Sequence, residues 1–145
     1  MPLKGANQVG RFAIQLSVAN NDDVTDARRG LLAPTQVRRA TIEGVVDSGA
    51  TRLVLPQSTV KRLGLPVTGR VKVRYADRRA ATRHTAEGAY VEILGRHGTF
   101  TAVVEPRRRT ALVGAIVLED LDLLVDCTHQ RLVPRDPRFV VSEIE

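Results

Sequence analysis

The chain is dominated by short runs in which apolar and polar residues alternate, separated by turn-forming residues. Residues 12–18 and 71–75 alternate in this way, which predicts half-buried strands. Residues 90–94 and 100–104 flank a glycine-containing turn, and this arrangement predicts a hairpin. Residues 35–46 predict a longer strand. Many short strands at close spacing are typical of a mostly β protein with a closed, barrel-like fold.

Helical signals are few and short. Residues 57–63 fit one helix, in which Ser58 would be the N-cap and Gly64 the end. Residues 118–121 fit a second one. The polar run at residues 20–23 predicts a turn that ends the first strand. The pattern therefore predicts one or two short helices beside the strands.

Composition favours a single packed domain over residues 1–145, since 43% of the residues are hydrophobic and 26% are charged. The single cysteine, Cys127, excludes an internal disulfide and a cysteine-based metal cluster. No run approaches the ~18 apolar residues of a membrane span, and residues 1–11 lack the pattern of a signal peptide. A cytoplasmic protein with no membrane partner is expected.

The net charge of +6 raises the question of nucleic-acid binding. Arginines cluster at residues 28–29, 38–39, 78–79 and 107–109. These clusters are scattered next to predicted turns and strand ends, and no aromatic residues lie among them, as single-strand binders need. An arginine-rich surface explains the charge better, so a nucleic-acid partner is not favoured.

Residues 47–51, with the sequence Asp-Ser-Gly-Ala-Thr, concentrate the candidate chemistry. An acidic residue directly after two aliphatic ones is unusual at the end of a strand. Gly49 would let the backbone turn sharply beneath the carboxylate, and the hydroxyls of Ser48 and Thr51 could fix the loop by hydrogen bonds. Taken alone, the segment is explained as well by an ordinary turn between strands.

Two further features gain meaning only beside this loop. Residues 111–116 form an apolar run that contains Gly114 and leads into a short helix, which by itself indicates core packing. Residues 71–86 alternate on both sides of a polar tip at residues 76–79, which by itself indicates a surface hairpin.

In this order, the segments resemble the retropepsin-like aspartic proteases, the single-domain relatives of pepsin. The resemblance spans about residues 41 to 135. It comprises an Asp-Ser-Gly-Ala loop after two apolar residues, a strand and short helix, a flap hairpin, and Leu112-Val113-Gly114 before a last helix. It implies the closed acid-protease fold, in which residues 112–114 cross behind the loop. One departure is the flap tip, because residues 76–79 contain no glycine.

The resemblance implies an aspartic endopeptidase, which hydrolyses peptide bonds with a water activated between two carboxylates that share a proton. Asp47 would be catalytic. Because the sequence has one such loop, the second carboxylate must come from another copy, and a homodimer is expected. The partners are then a peptide or protein substrate and a second copy, and no metal or cofactor is implied. The residues that would brace the loop, line the site or cover the substrate are Ser48, Gly49, Ala50, Thr51, Ala76, Asp77, Arg78 and Arg79.

One alternative keeps the fold without the chemistry: a catalytically weak or inactive retropepsin-like module for dimerisation or peptide binding. The glycine-free flap tip favours it. The intact Asp47-Ser48-Gly49 sequence favours the enzyme, because a pure scaffold has no need of a buried carboxylate pair. If the tip faces the substrate, Arg78 and Arg79 should select acidic side chains, and the alternative is that both point to solvent.

Overall fold

The structure, a computed structural model, describes residues 11–145. The strands are β1 (Arg11–Asn20), β2 (Arg39–Asp47), β3 (Leu53–Pro56), β4 (Val67–Arg74), β5 (Ala80–Ile93), β6 (Arg96–Glu105), β7 (Ala111–Val113), β8 (Leu123–Asp126) and β9 (Arg131–Pro134). The helices are α1 (Asn21–Arg28), α2 (Gln57–Leu63) and α3 (Ala115–Asp120), and a 3-10 turn covers Pro34–Gln36.

Six of the strands close into a barrel in the order β1-β2-β7-β3-β6-β5, and the pairing of β5 with β1 completes the ring. Strand β4 pairs with β5 outside this ring, so the two form a projecting hairpin arm. Strands β8 and β9 form a separate small sheet. The prediction of a mostly β, closed, barrel-like fold is confirmed, although the described residues contain three α-helices rather than one or two.

Alternation along the six barrel strands places one face of each in the barrel core. In β1, the side chains of Phe12, Leu16 and Val18 are buried, whereas Ala13 and Gln15 are exposed. The core is built almost wholly from aliphatic residues, as a chain with 3% aromatic residues requires. Close packing of such side chains holds the strand ends, and hence the loops between them, in fixed positions.

Helix α1 contradicts the turn expected at residues 20–23. The side chain of Asn20 accepts a hydrogen bond from the backbone N–H of Asp23 at 3.1 Å, so Asn20 is the N-cap of the helix. Asp22 and Asp23 lie in the first turn, where negative charge is favoured by the helix dipole. Asn and Asp favour helix starts as well as turns, and this is why the turn prediction was wrong.

Two other predicted element boundaries differ from those in the structure for local reasons. The strand expected over residues 35–46 begins only at Arg39, because Pro34 starts a 3-10 turn instead. Ser58 does not cap helix α2, since Pro56 occupies the N-cap position and no side-chain cap bond forms. Gly64 does end this helix, with a left-handed φ of 63° that glycine adopts without strain.

Candidate active site

Asp47 is the last residue of β2, and the pairing of that strand fixes its position. Strand β2 runs parallel to β7, where Val46 lies opposite Val113, and antiparallel to β1, where Arg11 lies opposite Asp47. Val46 is fully buried, whereas the side chain of Asp47 is 24% exposed. A carboxylate therefore emerges at the barrel surface from the end of a rigid, buried strand.

The loop after Asp47 folds back onto the carboxylate. The backbone N–H of Gly49 donates to Asp47 Oδ1 at 3.0 Å, and that of Ala50 donates to the carbonyl of Asp47 at 3.1 Å. A Cβ atom on residue 49 would lie 3.2 Å from Asp47 Oδ1, so a side chain there would crowd the carboxylate. On the other oxygen, Arg11 Nε lies 3.5 Å from Oδ2 in an exposed ion pair, a kind of contact that contributes at most about 1 kcal/mol.

The segment around Gly114 crosses behind this loop, as the resemblance implies. The first two backbone N–H groups of α3 donate to the carbonyls of Ala50 and Thr51 at 2.8 and 2.9 Å. A Cβ atom on residue 114 would lie 2.5 Å from the carbonyl oxygen of Arg52 and 2.8 Å from its backbone nitrogen. Glycine is required here because two backbone segments touch, and the contact holds the Asp47 loop from behind.

An open cleft of about 420 Å³ adjoins the loop. One wall consists of Gly49, Ala50 and Thr51, and the opposite wall is the β4 side of the hairpin arm. The apolar residues that line it are Val54, Val71, Val73, Val103 and Leu112. The cleft lies between the Asp47 loop and the arm.

The arm is anchored to the barrel at the end of the cleft. The hydroxyl of Tyr75 donates to Glu105 Oε2 at 2.6 Å, and Arg83 Nε donates to Glu105 Oε1 at 2.8 Å. Burial and the hydrogen bond to Glu105 raise the pKa of Tyr75. Sequence reasoning missed this cluster, because Tyr75 follows the end of β4 whereas Glu105 ends β6, and no local pattern links them.

The tip of the arm projects beyond the cleft. Ala76, Asp77 and Arg78 are exposed and do not line it. Arg79 Nε lies 2.7 Å from Asp77 Oδ2, and its guanidinium lies 5.1 Å from the centre of the Tyr75 ring. Arg78 has a φ of 72°, which places a non-glycine residue in the left-handed region. The structure thus brings residues 49–51 together with β4 and Tyr75 rather than with the tip.

Two classes of site are absent from the described part of the chain. Residues 11–145 contain no group of three or more His, Cys, Asp or Glu side chains arranged to hold a metal ion. Within the same residues, no helix combines the length and the apolar character that a membrane crossing needs. Cys127 is an exposed free thiol in the turn between β8 and β9.

Comparison with known proteins agrees with this geometry. A family model described as aspartyl protease matches residues 33–117, which is more than half of the chain and includes the Asp47 loop, the arm and Gly114. The chain therefore belongs to the aspartyl protease family, and the retropepsin-like resemblance inferred from the sequence is confirmed.

The sequence identity to one similar solved structure is low. Among solved structures, the chain is similar to the EIAV protease complexed with the inhibitor HBY-793, with 18% identity and a TM-score of 0.49. That similarity covers 56% of this chain and 77% of the EIAV protease chain. A search of curated proteins found no match to the sequence.

Proposed function

We propose that the protein is an aspartic endopeptidase that acts as a homodimer, in which Asp47 of each copy supplies one of the two catalytic carboxylates. The observation that carries this proposal is the position of Asp47, a partly exposed carboxylate at the end of a buried strand and beside the loop that walls the cleft. The sequence contains one Asp-Ser-Gly loop, so one chain supplies half of the pair. A twofold axis near Asp47 would supply the other half.

The chemistry requires one proton shared between the two carboxylates, since like charges about 3 Å apart resist simultaneous ionisation. The ionised Asp47 of one copy takes a proton from a water molecule as the water oxygen attacks the peptide carbonyl carbon. The protonated Asp47 of the other copy donates its proton to the carbonyl oxygen. Collapse of the resulting diol breaks the C–N bond, and a proton passes to the leaving nitrogen. The N–H of Gly49, already directed at Oδ1, would hold one carboxylate in position throughout.

The substrate in this proposal is a peptide or protein segment in extended form, lying between the loop and β4. Ser48 would brace the two loops across the dimer, and Ala50 and Thr51 would contact the substrate. The arm would act as a lid that excludes water during the reaction. Opening of this lid would break the hydrogen bond between Tyr75 and Glu105. A single domain over residues 1–145 and a cytoplasmic location belong to the same proposal.

Asp47→Asn tests the catalytic role, with Asp22→Asn as a matched control on an exposed carboxylate of α1. Both variants and wild type are incubated with a mixed peptide library, and the products are identified by mass spectrometry. Asp47→Asn should abolish cleavage while retaining the far-UV circular dichroism spectrum, and Asp22→Asn should cleave as wild type does. A folded Asp47→Asn protein with wild-type activity would refute the proposal.

Sedimentation velocity tests the assembly. Specific activity should rise with protein concentration in parallel with the dimer fraction, because a monomer holds one carboxylate. An active protein that sediments only as a monomer would contradict the mechanism.

The alternative is a peptide-binding module without peptidase activity. It is favoured by the arm tip, which contains no glycine and is held by the ion pair of Asp77 with Arg79. The same experiment separates the two functions. A module would bind library peptides equally well with Asp or Asn at position 47, and neither form would produce cleavage products.

A further inference from the structure

The cleft beside the catalytic loop continues past Tyr75 into a second basin. The two cavities share Tyr75, Glu105 and Arg108, so a chain lying in the first could extend directly into the second. The second basin has a volume of about 700 Å³. Its polar lining consists of Tyr75, Arg79, Arg83, Glu105, Arg107 and Arg108.

Two of these arginines are already neutralised by carboxylates. Arg83 pairs with Glu105 at 2.8 Å, and Arg79 pairs with Asp77 at 2.7 Å. These pairs leave Arg107 and Arg108 as the uncompensated charges of the basin.

Arg107 and Arg108 have no carboxylate partner within residues 11–145. Arg108 is nevertheless held in place, because its Nε and Nη2 donate to the carbonyl and hydroxyl oxygens of Thr110 at 3.0 and 3.2 Å. Arg107 is exposed. The basin therefore contains two unneutralised guanidinium groups on one short turn between β6 and β7.

The first cleft has the same sign of charge. Arg52, Lys72 and Arg74 contribute to its lining, and Glu105 is the one acidic residue among its lining side chains. Cationic groups along a continuous groove raise the local concentration of anionic ligands and align them by their charge. A polyanionic chain segment fits this surface, whereas a cationic one is repelled along its length.

We propose that this basin, formed around Arg107 and Arg108, binds acidic side chains of the peptide substrate. The inference rests on the proposed function, because it takes the cleft beside Asp47 to be the peptide-binding cleft. Aspartate or glutamate residues in the substrate segment that extends past Tyr75 would accept charge-assisted hydrogen bonds from the two guanidinium groups. The protein then selects acidic sequences at a distance from the bond that it cleaves.

Binding measurements on the full-length Asp47→Asn protein test the inference without requiring catalysis. The probes are two fluorescein-labelled peptides of equal length, one with glutamates in its terminal half and one with glutamines at the same positions. Fluorescence anisotropy gives the dissociation constants. The variants are Arg107→Glu/Arg108→Glu, the milder Arg107→Gln/Arg108→Gln, and the control Arg109→Glu/Arg138→Glu, which changes the net charge as much as the first variant.

The glutamate peptide should bind more tightly than the glutamine peptide, and the Glu double variant should weaken its binding roughly 10-fold, as expected for two exposed ion pairs. The Gln double variant should lose roughly 3-fold in affinity for the glutamate peptide. The control should lose less affinity than either of these variants. The preference should shrink above physiological ionic strength, where screening acts within about 8 Å. Equal binding of the two peptides, equal losses in the control, or tighter binding of a single-stranded oligonucleotide would overturn the inference.

Failure of the inference is distinguishable from failure of the proposed function. Cleavage by wild type without any preference for the glutamate peptide would leave the peptidase intact and refute the acidic-substrate basin. Charge-dependent binding in a protein that cleaves no peptide would refute the peptidase and support the basin.

Discussion

Replacing Gly114 by alanine tests how the Asp47 loop is held in place. The backbone at Gly114 has φ −91° and ψ −177°, values that alanine adopts freely, so the substitution adds only a steric conflict. The new methyl group would lie 2.5 Å from the carbonyl oxygen of Arg52 and 2.8 Å from the carbonyl carbon of Thr51. Both are backbone atoms, which no change of side-chain rotamer can move away.

The expected loss in the free energy of unfolding follows from which backbone atoms the new methyl group displaces. Overpacking of a tight site costs about 1–3 kcal/mol. Displacing the loop also stretches the two backbone hydrogen bonds that Ala50 and Thr51 accept from the start of α3, each worth about 1 kcal/mol. The same displacement of the loop relieves the clash and breaks the hydrogen bonds, so the two free-energy costs are not simply added. A loss of about 3 kcal/mol in the free energy of unfolding is expected, and about 100-fold in activity if the loop shifts by about 1 Å.

Urea denaturation followed by far-UV circular dichroism measures the stability, and cleavage of a library-derived peptide measures the activity. The control is Gly69→Ala in β4, where the new Cβ would meet only the hydroxyl of Thr85 at 3.0 Å. That side-chain oxygen needs to move by only a few tenths of an ångström, so the control should change stability by less than about 1 kcal/mol. A Gly114→Ala protein as stable and active as this control would refute the steric argument.

Two further predictions concern the arm and acid stability. Tyr75→Phe removes the 2.6 Å hydrogen bond to Glu105, so amide hydrogen exchange in the arm should accelerate, whereas Tyr90→Phe, which loses only a 3.4 Å contact, should leave it unchanged. Hydrogen bonds from the backbone and ring of His129 lower the pKa of Asp126 from 3.8 to about 2. Its contribution to stability is therefore present above pH 3.8 and lost as the pH falls through about 2. Denaturation of wild type and Asp126→Asn should differ at pH 5 and converge near pH 2, and a difference that persists unchanged would contradict this.

Much of the barrel could be predicted from the sequence because its strands obey local rules. Alternation marks β1 in residues 12–18, where the inward-facing side chains are buried as expected. A glycine with a left-handed φ ends α2 at Gly64. Residues 112–114 also lie behind the loop, as the resemblance to the retropepsin-like proteases implies, although the apolar run by itself indicates only core packing.

What the sequence did not predict depends on contacts between distant residues. The anchoring of the arm needs Tyr75, Arg83 and Glu105 to meet at one point, and each is unremarkable in its own segment of the chain. Helix α1 was missed because Asn20 can end a strand and cap a helix equally well. Its amide group is buried and donates to the carbonyl of Leu63 at 2.8 Å, a partner 43 positions away that no local pattern reveals. The roles of the predicted site residues stay predictions until Asp47 is replaced.

The pairing of β1 with β5, which closes the barrel, has a consequence for how the chain folds. Ser17 pairs with Glu92 and Asn20 with Ala89, so the ring is completed by residues about seventy positions apart in the sequence. Such distant pairings lose much chain entropy before they gain contacts, which slows folding to milliseconds or longer. Until β5 is available, β1 keeps an unpaired edge that can add a strand from another molecule. During synthesis, a chain that stalls before Ala80 is therefore expected to aggregate rather than wait in a partly folded form.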